Sequence, residues 1–214
     1  MLATRQHRLT LSVLKTSGIS NAAVAILCRK KHVHRLVQKF RKRSNETVVG
    51  LLSVPVMPQN KEGNMFGKES IAAAWKRKQA QKSTPQGRKE VGKEQVGKEE
   101  QQGSELKFGH HLDLMLRYLS TAIPSLQKSG RLTIPVKKLC LLLIVQRRSL
   151  NKFVKIDCPG GKRHLGETAE QCAVREVNEE VGFLMLSPAQ HFLMESRLDA
   201  SMTSFIAVVG EGMH

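Results

Sequence analysis

Apolar residues in this chain are grouped in two ways, as short and nearly unbroken runs and as sets spaced three and four apart, and each grouping predicts a different element. The runs are Ala22 to Cys28, Val48 to Val56 and Leu139 to Val145. The last follows Leu132-Thr-Ile134 and has the length of a strand buried on both faces. His191 to Met194 and Phe205 to Val209 read as further strands. Helical spacing occurs at Leu112, Met115, Leu116 and Leu119, where Pro124 is expected to end the segment, and again at Ala173, Val174, Val177 and Val181. Every run falls far short of the roughly 18 apolar residues that would span a bilayer, so no membrane span is expected.

The second helical set carries the chemistry. Thr168-Ala-Glu-Gln171 is a capping box, in which the Thr hydroxyl accepts an early backbone N–H and the Gln side chain reaches back, so a helix should begin near residue 169. Gly182 can take the left-handed conformation that ends a helix, and Pro188 stands as a further barrier. On that helix Glu176, Glu179 and Glu180 fall on one face and the apolar residues on another. Three carboxylates so close repel one another by a few tenths of a kcal/mol per i,i+4 pair, and a cation would offset this. Mg²⁺ prefers oxygen ligands and is typically held by one or two carboxylates plus substrate phosphates. Arg175, permanently charged and planar, can clamp Glu167 or Glu179. The plainer alternative is a solvated acidic face. The coincidence of cap, glycines and carboxylates in one window argues against it.

The spacing Gly161-x5-Glu167-x7-Arg175-Glu176-Val177-x-Glu179-Glu180-x-Gly182-Phe183, led in by Pro159-Gly160, resembles the Nudix box at all nine fixed positions. The resemblance implies an α/β/α sandwich built on a mixed sheet. It also implies hydrolysis of a nucleoside diphosphate linked to another moiety, with water attacking phosphorus and Mg²⁺ or Mn²⁺ required. By the same likeness, Glu176, Glu179 and Glu180, with the carbonyl of Gly160 or Gly161, would be metal ligands. Glu167 would assist the metal site or orient Arg175, so that Glu179, Glu176, Arg175 and Glu167 form the catalytic set. Arg148, Lys162 and Arg163 are the cations expected to meet the substrate. The basic connection from Arg147 to Lys155 also reads as a plain hairpin tip.

Charge divides the chain unevenly. Residues 1–110 carry 22 Lys/Arg against 8 Asp/Glu, and residues 111–214 carry 13 against 10. Within the first 45 residues there are 11 Lys/Arg and no acid. With Leu9, Leu11, Val13 and Leu14 among Arg5, Arg8 and Lys15, the N-terminus fits a mitochondrial transit peptide. A nuclear address or nucleic-acid patch at Lys39, Arg41, Lys42 and Arg43, in a nuclear or cytoplasmic protein, is the alternative, beside an ordinary solvated segment. Residues 59–107 turn to Lys, Gln, Glu, Gly and Ser and are expected to be a disordered low-complexity linker. Within it, Ile71 to Gln81 reads as a short helix, with Trp75 either solvated or stacked on a base. Cys28, Cys140, Cys158 and Cys172 lack metal-ligand spacing and read as buried thiols of a reducing compartment. The histidine pairs read as surface or loop residues.

The expected organisation is therefore a basic segment at 1–58, a linker at 59–107 and a Nudix-like domain at 111–214. Only 31 residues follow Phe183, so the domain is expected to be short at its C-terminus. Either the chain is a truncated product, or Ala22 to Cys28 and Val48 to Val56 fold back to complete the sheet, which a disordered insertion of about 50 residues makes unfavourable. The leading function is a metal-dependent pyrophosphohydrolase, with RNA as a substrate body suggested by the basic half. The alternative is a non-catalytic Nudix-like subunit that binds RNA or a ribonucleoprotein. Oligomeric state leaves no mark in the sequence.

Overall fold

The computed structural model describes residues 21–43, 48–57, 65, 68–83, 105–147, 153–182 and 186–210. The proposed transit segment at 1–20, Arg148 and Phe183 lie outside the described residues. The elements are β1 (Asn21–Arg29), α1 (Lys30–Arg43), β2 (Val48–Pro55), α2 (Lys68–Ser83), β3 (Glu105–Phe108) and α3 (His110–Lys128). They continue with β4 (Leu139–Arg147), β5 (Phe153–Asp157), β6 (Gly160–Lys162), α4 (Ala169–Val181), α5 (Pro188–His191), β7 (Phe192–Arg197) and β8 (Met202–Val209). The eight strands form one mixed sheet in the order β3-β5-β4-β1-β8-β7, with β2 added to β4 and β6 to β1. β1 runs parallel to β8 and antiparallel to β4, and β3 runs parallel to β5.

Helices cover both faces, which gives the α/β/α arrangement. Ala23, Ala25 and Leu27 of β1 join Leu139, Leu141, Leu143 and Val145 of β4 in a core shared with Ile71 of α2 and Leu112, Met115 and Leu119 of α3. The alternate residues Ala22, Val24, Ile26 and Cys28, with Cys140, Leu142 and Ile144, form the opposite core under Phe40 of α1 and Cys172, Ala173 and Val177 of α4. A strand covered on both faces cannot alternate polar with apolar, which is why these two runs are unbroken. All four cysteines are buried free thiols. Burial first, and the neighbouring Cys140 second, push the Cys28 thiol up to about 12.

Several expectations need correction. The boundary at residue 111 does not delimit the sheet, because β1 lies at its centre and β2 on β4, so the fold-back alternative describes the observed topology. The loop-length objection fails because the intervening chain is not structureless. It carries α1, β2, α2 and β3. The helix expected at Ile71 to Gln81 is present as α2, although it shows no strong amphipathic stripe, whereas β3 was not expected inside the low-complexity stretch. α2 nevertheless buries Ile71 and packs Ala74 and Trp75 on the α3-side core. Trp75 is thus a half-buried packing residue, neither free in solvent nor placed as a stacking platform. Lys155 belongs to β5 rather than to a hairpin tip.

Pro124 lies inside α3 rather than ending it. The helix continues to Lys128 because Ile123 and Leu126 are buried, and it stops where Gly130 turns to φ +72°. His34 is a surface residue of α1, as expected, while His32 on the same helix and His111 on α3 are half-buried. Among the described residues no helix is long and apolar enough to cross a membrane.

A chain reduced to residues 105–214 lacks β1 and should show no cooperative thermal transition by circular dichroism, whereas the full chain should. In the full chain Leu27→Ala, at a fully buried position, should cost about 2–5 kcal/mol in a urea titration.

Candidate active site

The site begins with the chain's path into α4. Both hydrogen bonds of the capping box are present. Gln171 N donates to Thr168 Oγ1 at 3.1 Å and Thr168 N to Gln171 Oε1 at 2.8 Å. The helix ends at Gly182 with φ +75°. It buries Cys172, Ala173, Val177 and Val181 against the sheet and turns Glu176, Glu179 and Glu180 toward the loop that precedes it.

Arg175 is the hub of that loop. Its Nε donates to Glu167 Oε1 at 2.9 Å and its Nη2 to Glu167 Oε2 at 3.1 Å, a two-pronged pairing that fixes the guanidinium plane. Nη1 donates to Glu176 Oε1 at 2.7 Å and to Glu179 Oε2 at 3.2 Å, and Nη2 also reaches the Lys162 carbonyl at 2.9 Å. The Glu167 carboxylate additionally accepts from His164 N at 2.8 Å. The Arg175 hydrogen bonds hold Glu167 down to about 2, with burial opposing and the His164 N–H assisting. The same contacts, chiefly that with Glu167, push Arg175 further above its ordinary value.

Glu180 faces the sheet. Its Oε1 accepts from Gln146 Nε2 at 2.8 Å and its Oε2 from Gly160 N at 3.0 Å. Burial pushes its carboxyl up to about 7, with the Gly160 N–H opposing and the nearby Glu176 and Asp157 carboxylates reinforcing the rise. Glu176 lies against Gly161 so closely that a Cβ there would come within 2.2 Å of Glu176 Oε1. A side chain at 161 would therefore displace the Glu176 carboxylate, so the constraint there is contact and not backbone conformation. Glu176 and Glu180 thus flank the Gly160–Gly161 backbone, while Glu179 is 57% exposed on the outer side. An open cleft of about 640 Å³ between α4 and Pro188 borders Arg175 and Glu179 but not Glu176 or Glu180.

The structure brings Glu167, Arg175, Glu176, Glu179, Glu180 and Gly161 together. Lys162 is exposed and available, but Arg163 turns into its own loop, its Nε 3.0 Å from the Glu167 carbonyl. Arg163 therefore closes the loop. Gln146 was missed, since its only trace in the sequence is a polar residue at the end of an apolar run. Asp157 was missed as well. Only 3% exposed, it pairs with Lys155 at 2.8 Å and occupies the space that any side chain at Gly109 would need. Nothing in the spacing of 109 and 157, or of 146 and 180, announces that these pairs meet.

The donor set is all oxygen, as a hard divalent cation prefers. Among the described residues no three His, Cys, Asp or Glu side chains already form a metal-holding group, since Arg175 holds Glu176 and Glu179. The carboxylates fit such a cation if those two rotate away from the guanidinium.

Residues 134–208 match the NUDIX domain model. A 59-residue stretch is 41% identical to the 8-oxo-dGTP diphosphatase of Escherichia coli (strain K12), covering 27% of this chain. The chain thus spans 43% of the length of that curated relative. No solved structure matches.

Because the Glu180 carboxyl is raised in the fold, the folded state holds a proton that the unfolded state releases. Without divalent cation, stability should fall as pH rises from about 4.5 to about 7 and then level. Glu180→Gln should flatten that slope in urea titrations across this range, and Gln146→Ala, which removes a donor to the carboxylate, should move its upper end to higher pH. A slope unchanged in Glu180→Gln would assign the titration elsewhere. The depressed Glu167 acts in the opposite sense, its stabilisation being lost as pH falls from about 4.5 toward 2.

Proposed function

We propose that this protein is a divalent-metal-dependent pyrophosphohydrolase that cleaves a nucleoside diphosphate linked to another moiety. The observation that supports this best is the grouping of Glu176, Glu179 and Glu180 around Arg175 and the Gly160–Gly161 backbone. A scaffold has no evident use for three repelling carboxylates held in register by an arginine. The 8-oxo-dGTP diphosphatase likeness supports the same reaction class.

Glu176, Glu179 and Glu180, with the Gly161 carbonyl, are the groups that would hold Mg²⁺ or Mn²⁺. Such a cation supplies charge neutralisation for the diphosphate and acidifies the attacking water. The chain's own residues supply position. Glu167 fixes the Arg175 plane, and Arg175 in turn aims Glu176 and Glu179. Gln146 and the Gly160 N–H hold Glu180 from the sheet side. Lys162, exposed at the rim, meets the negative charge of the phosphates. Glu167 assists by holding Arg175 in place, so its loss should be milder than loss of a ligand.

The test is release of phosphate or nucleotide from ADP-ribose, NADH, coenzyme A, a dinucleoside polyphosphate, 8-oxo-dGTP and capped or 5′-triphosphorylated RNA with Mg²⁺ or Mn²⁺. Glu179→Gln should lose roughly 100-fold or more in turnover, since even changes to residues that only hydrogen-bond a metal's ligands cost about 10–100-fold, while its thermal transition stays in place. Unchanged turnover in that variant would sink the ligand assignment. A folded wild-type chain with no turnover on any substrate would leave the binding-only reading.

A further inference from the structure

α1 follows directly from the central strand and belongs to the same layer as α4. Val33, Leu36, Val37 and Phe40 turn inward and pack on the core that also receives Cys172, Ala173 and Val177 of α4. The opposite side of α1 carries Lys30, Lys31, His34, Arg35 and Lys39, all exposed. Its first turn has no acidic residue, and none of its exposed lysines or Arg35 forms an ion pair with a described residue. His34 is bonded to Gln38 at 2.7 Å, so the polar residues between the cations are already satisfied within the helix. Lys31, Arg35 and Lys39 follow at four-residue steps, about 6 Å each along the axis. That spacing is comparable with the separation of neighbouring phosphates on an extended strand.

We propose that the outer face of α1 is a docking surface for the sugar-phosphate backbone of a single-stranded RNA. We further propose that the end of this strand is what reaches the α4 cluster. The second statement rests on the hydrolase reading, whereas the first does not. Charge complementarity is the argument, and the side-chain pattern selects among polyanions. A helix that anchors in a lipid surface inserts an apolar face, and the apolar face of α1 is already buried in the protein. An acidic protein partner would need an apolar interface core, which the outer face does not offer. A phosphate backbone needs only cations in a row, and with no aromatic on that face the binding is indifferent to base. The acidic site on α4 would repel such a strand unless basic groups on the same side held it. α1 provides them.

The experiment measures fluorescence anisotropy of a labelled single-stranded RNA with a 5′-hydroxyl end, which cannot be a substrate, at several salt concentrations. Wild-type protein should bind it. The triple variant Lys31→Glu, Arg35→Glu, Lys39→Glu should bind at least tenfold more weakly. The triple Gln variant should show a dependence on log salt shallower by about 2, three cations at roughly 0.7 each. Both variants should keep the wild-type thermal transition, since the changed side chains are exposed. Wild-type affinity in both folded variants, or no RNA binding by wild type at low salt, would overturn the proposal. So would a preference for phosphatidylserine vesicles over RNA that the charge reversal abolishes.

In turnover, the variants should leave a small dinucleotide substrate unaffected and raise KM, not kcat, for a substrate with a long RNA body. Equal loss on both substrates would overturn the link to α4. Intact RNA binding with no turnover on anything would strike the hydrolase reading alone.

Discussion

Arg175 and the carboxylates around it are the constraint on which the site depends. Glu176, Glu179 and Glu180 lie within one turn of helix, where their mutual repulsion would weaken α4 if nothing opposed it. The guanidinium opposes it from inside the cluster, and because Glu167 fixes its plane through two bonds it acts as a rigid strut rather than a mobile counter-charge. Its bond to the Lys162 carbonyl ties the helix to the loop that precedes it. One side chain thus sets the spacing between the glycine backbone and the acidic face.

That loop is held in turn by a strand more than a hundred residues earlier in the chain. β6 pairs with the first residues of β1, with Gly161 opposite Ala22 and Gly160 opposite Ala23, and Val24 N donates to the Pro159 carbonyl at 2.9 Å. The approach is so close that a Cβ on Gly160 would lie 2.5 Å from the Ala22 carbonyl oxygen. The small residues at Ala22 and Ala23 and the glycines at 160 and 161 are therefore two halves of one contact. Glu180 completes the tie by accepting the Gly160 N–H, at the cost of a carboxylate partly withdrawn from water. The raised Glu180 carboxyl is the electrostatic trace of that packing.

Charge is segregated across one layer of the molecule. α4 presents carboxylates and α1 presents ammonium and guanidinium groups, and both rest on the same core. The basic excess of the front half of the chain is thus not confined to an appendage. Part of it is built into a helix whose inner face is as well packed as that of α4.

What the sequence determined alone is what local chemistry fixes. The capping box, the left-handed glycine, the phase of α4 and the clamp of Arg175 on Glu167 or Glu179 all depend on residues within about twenty positions of one another, whereas the bond from Arg175 to its neighbour Glu176 emerged only in the fold. The run at Leu139 to Val145 announced a doubly covered strand by its lack of alternation. The tertiary structure decided the partners. A strand's apolar run states that it is buried but not beside which strand, because hydrogen-bonding edges carry no sequence label. Hence β1 was assigned outside the domain whose sheet it centres. The same holds for Gln146 and Asp157, whose roles arise from β4–β5 pairing. It holds for β3 as well, which joins the sheet beside β5 from within a stretch of low complexity. Local order is written in spacing along the chain, whereas long-range order is settled by which buried surfaces complement one another.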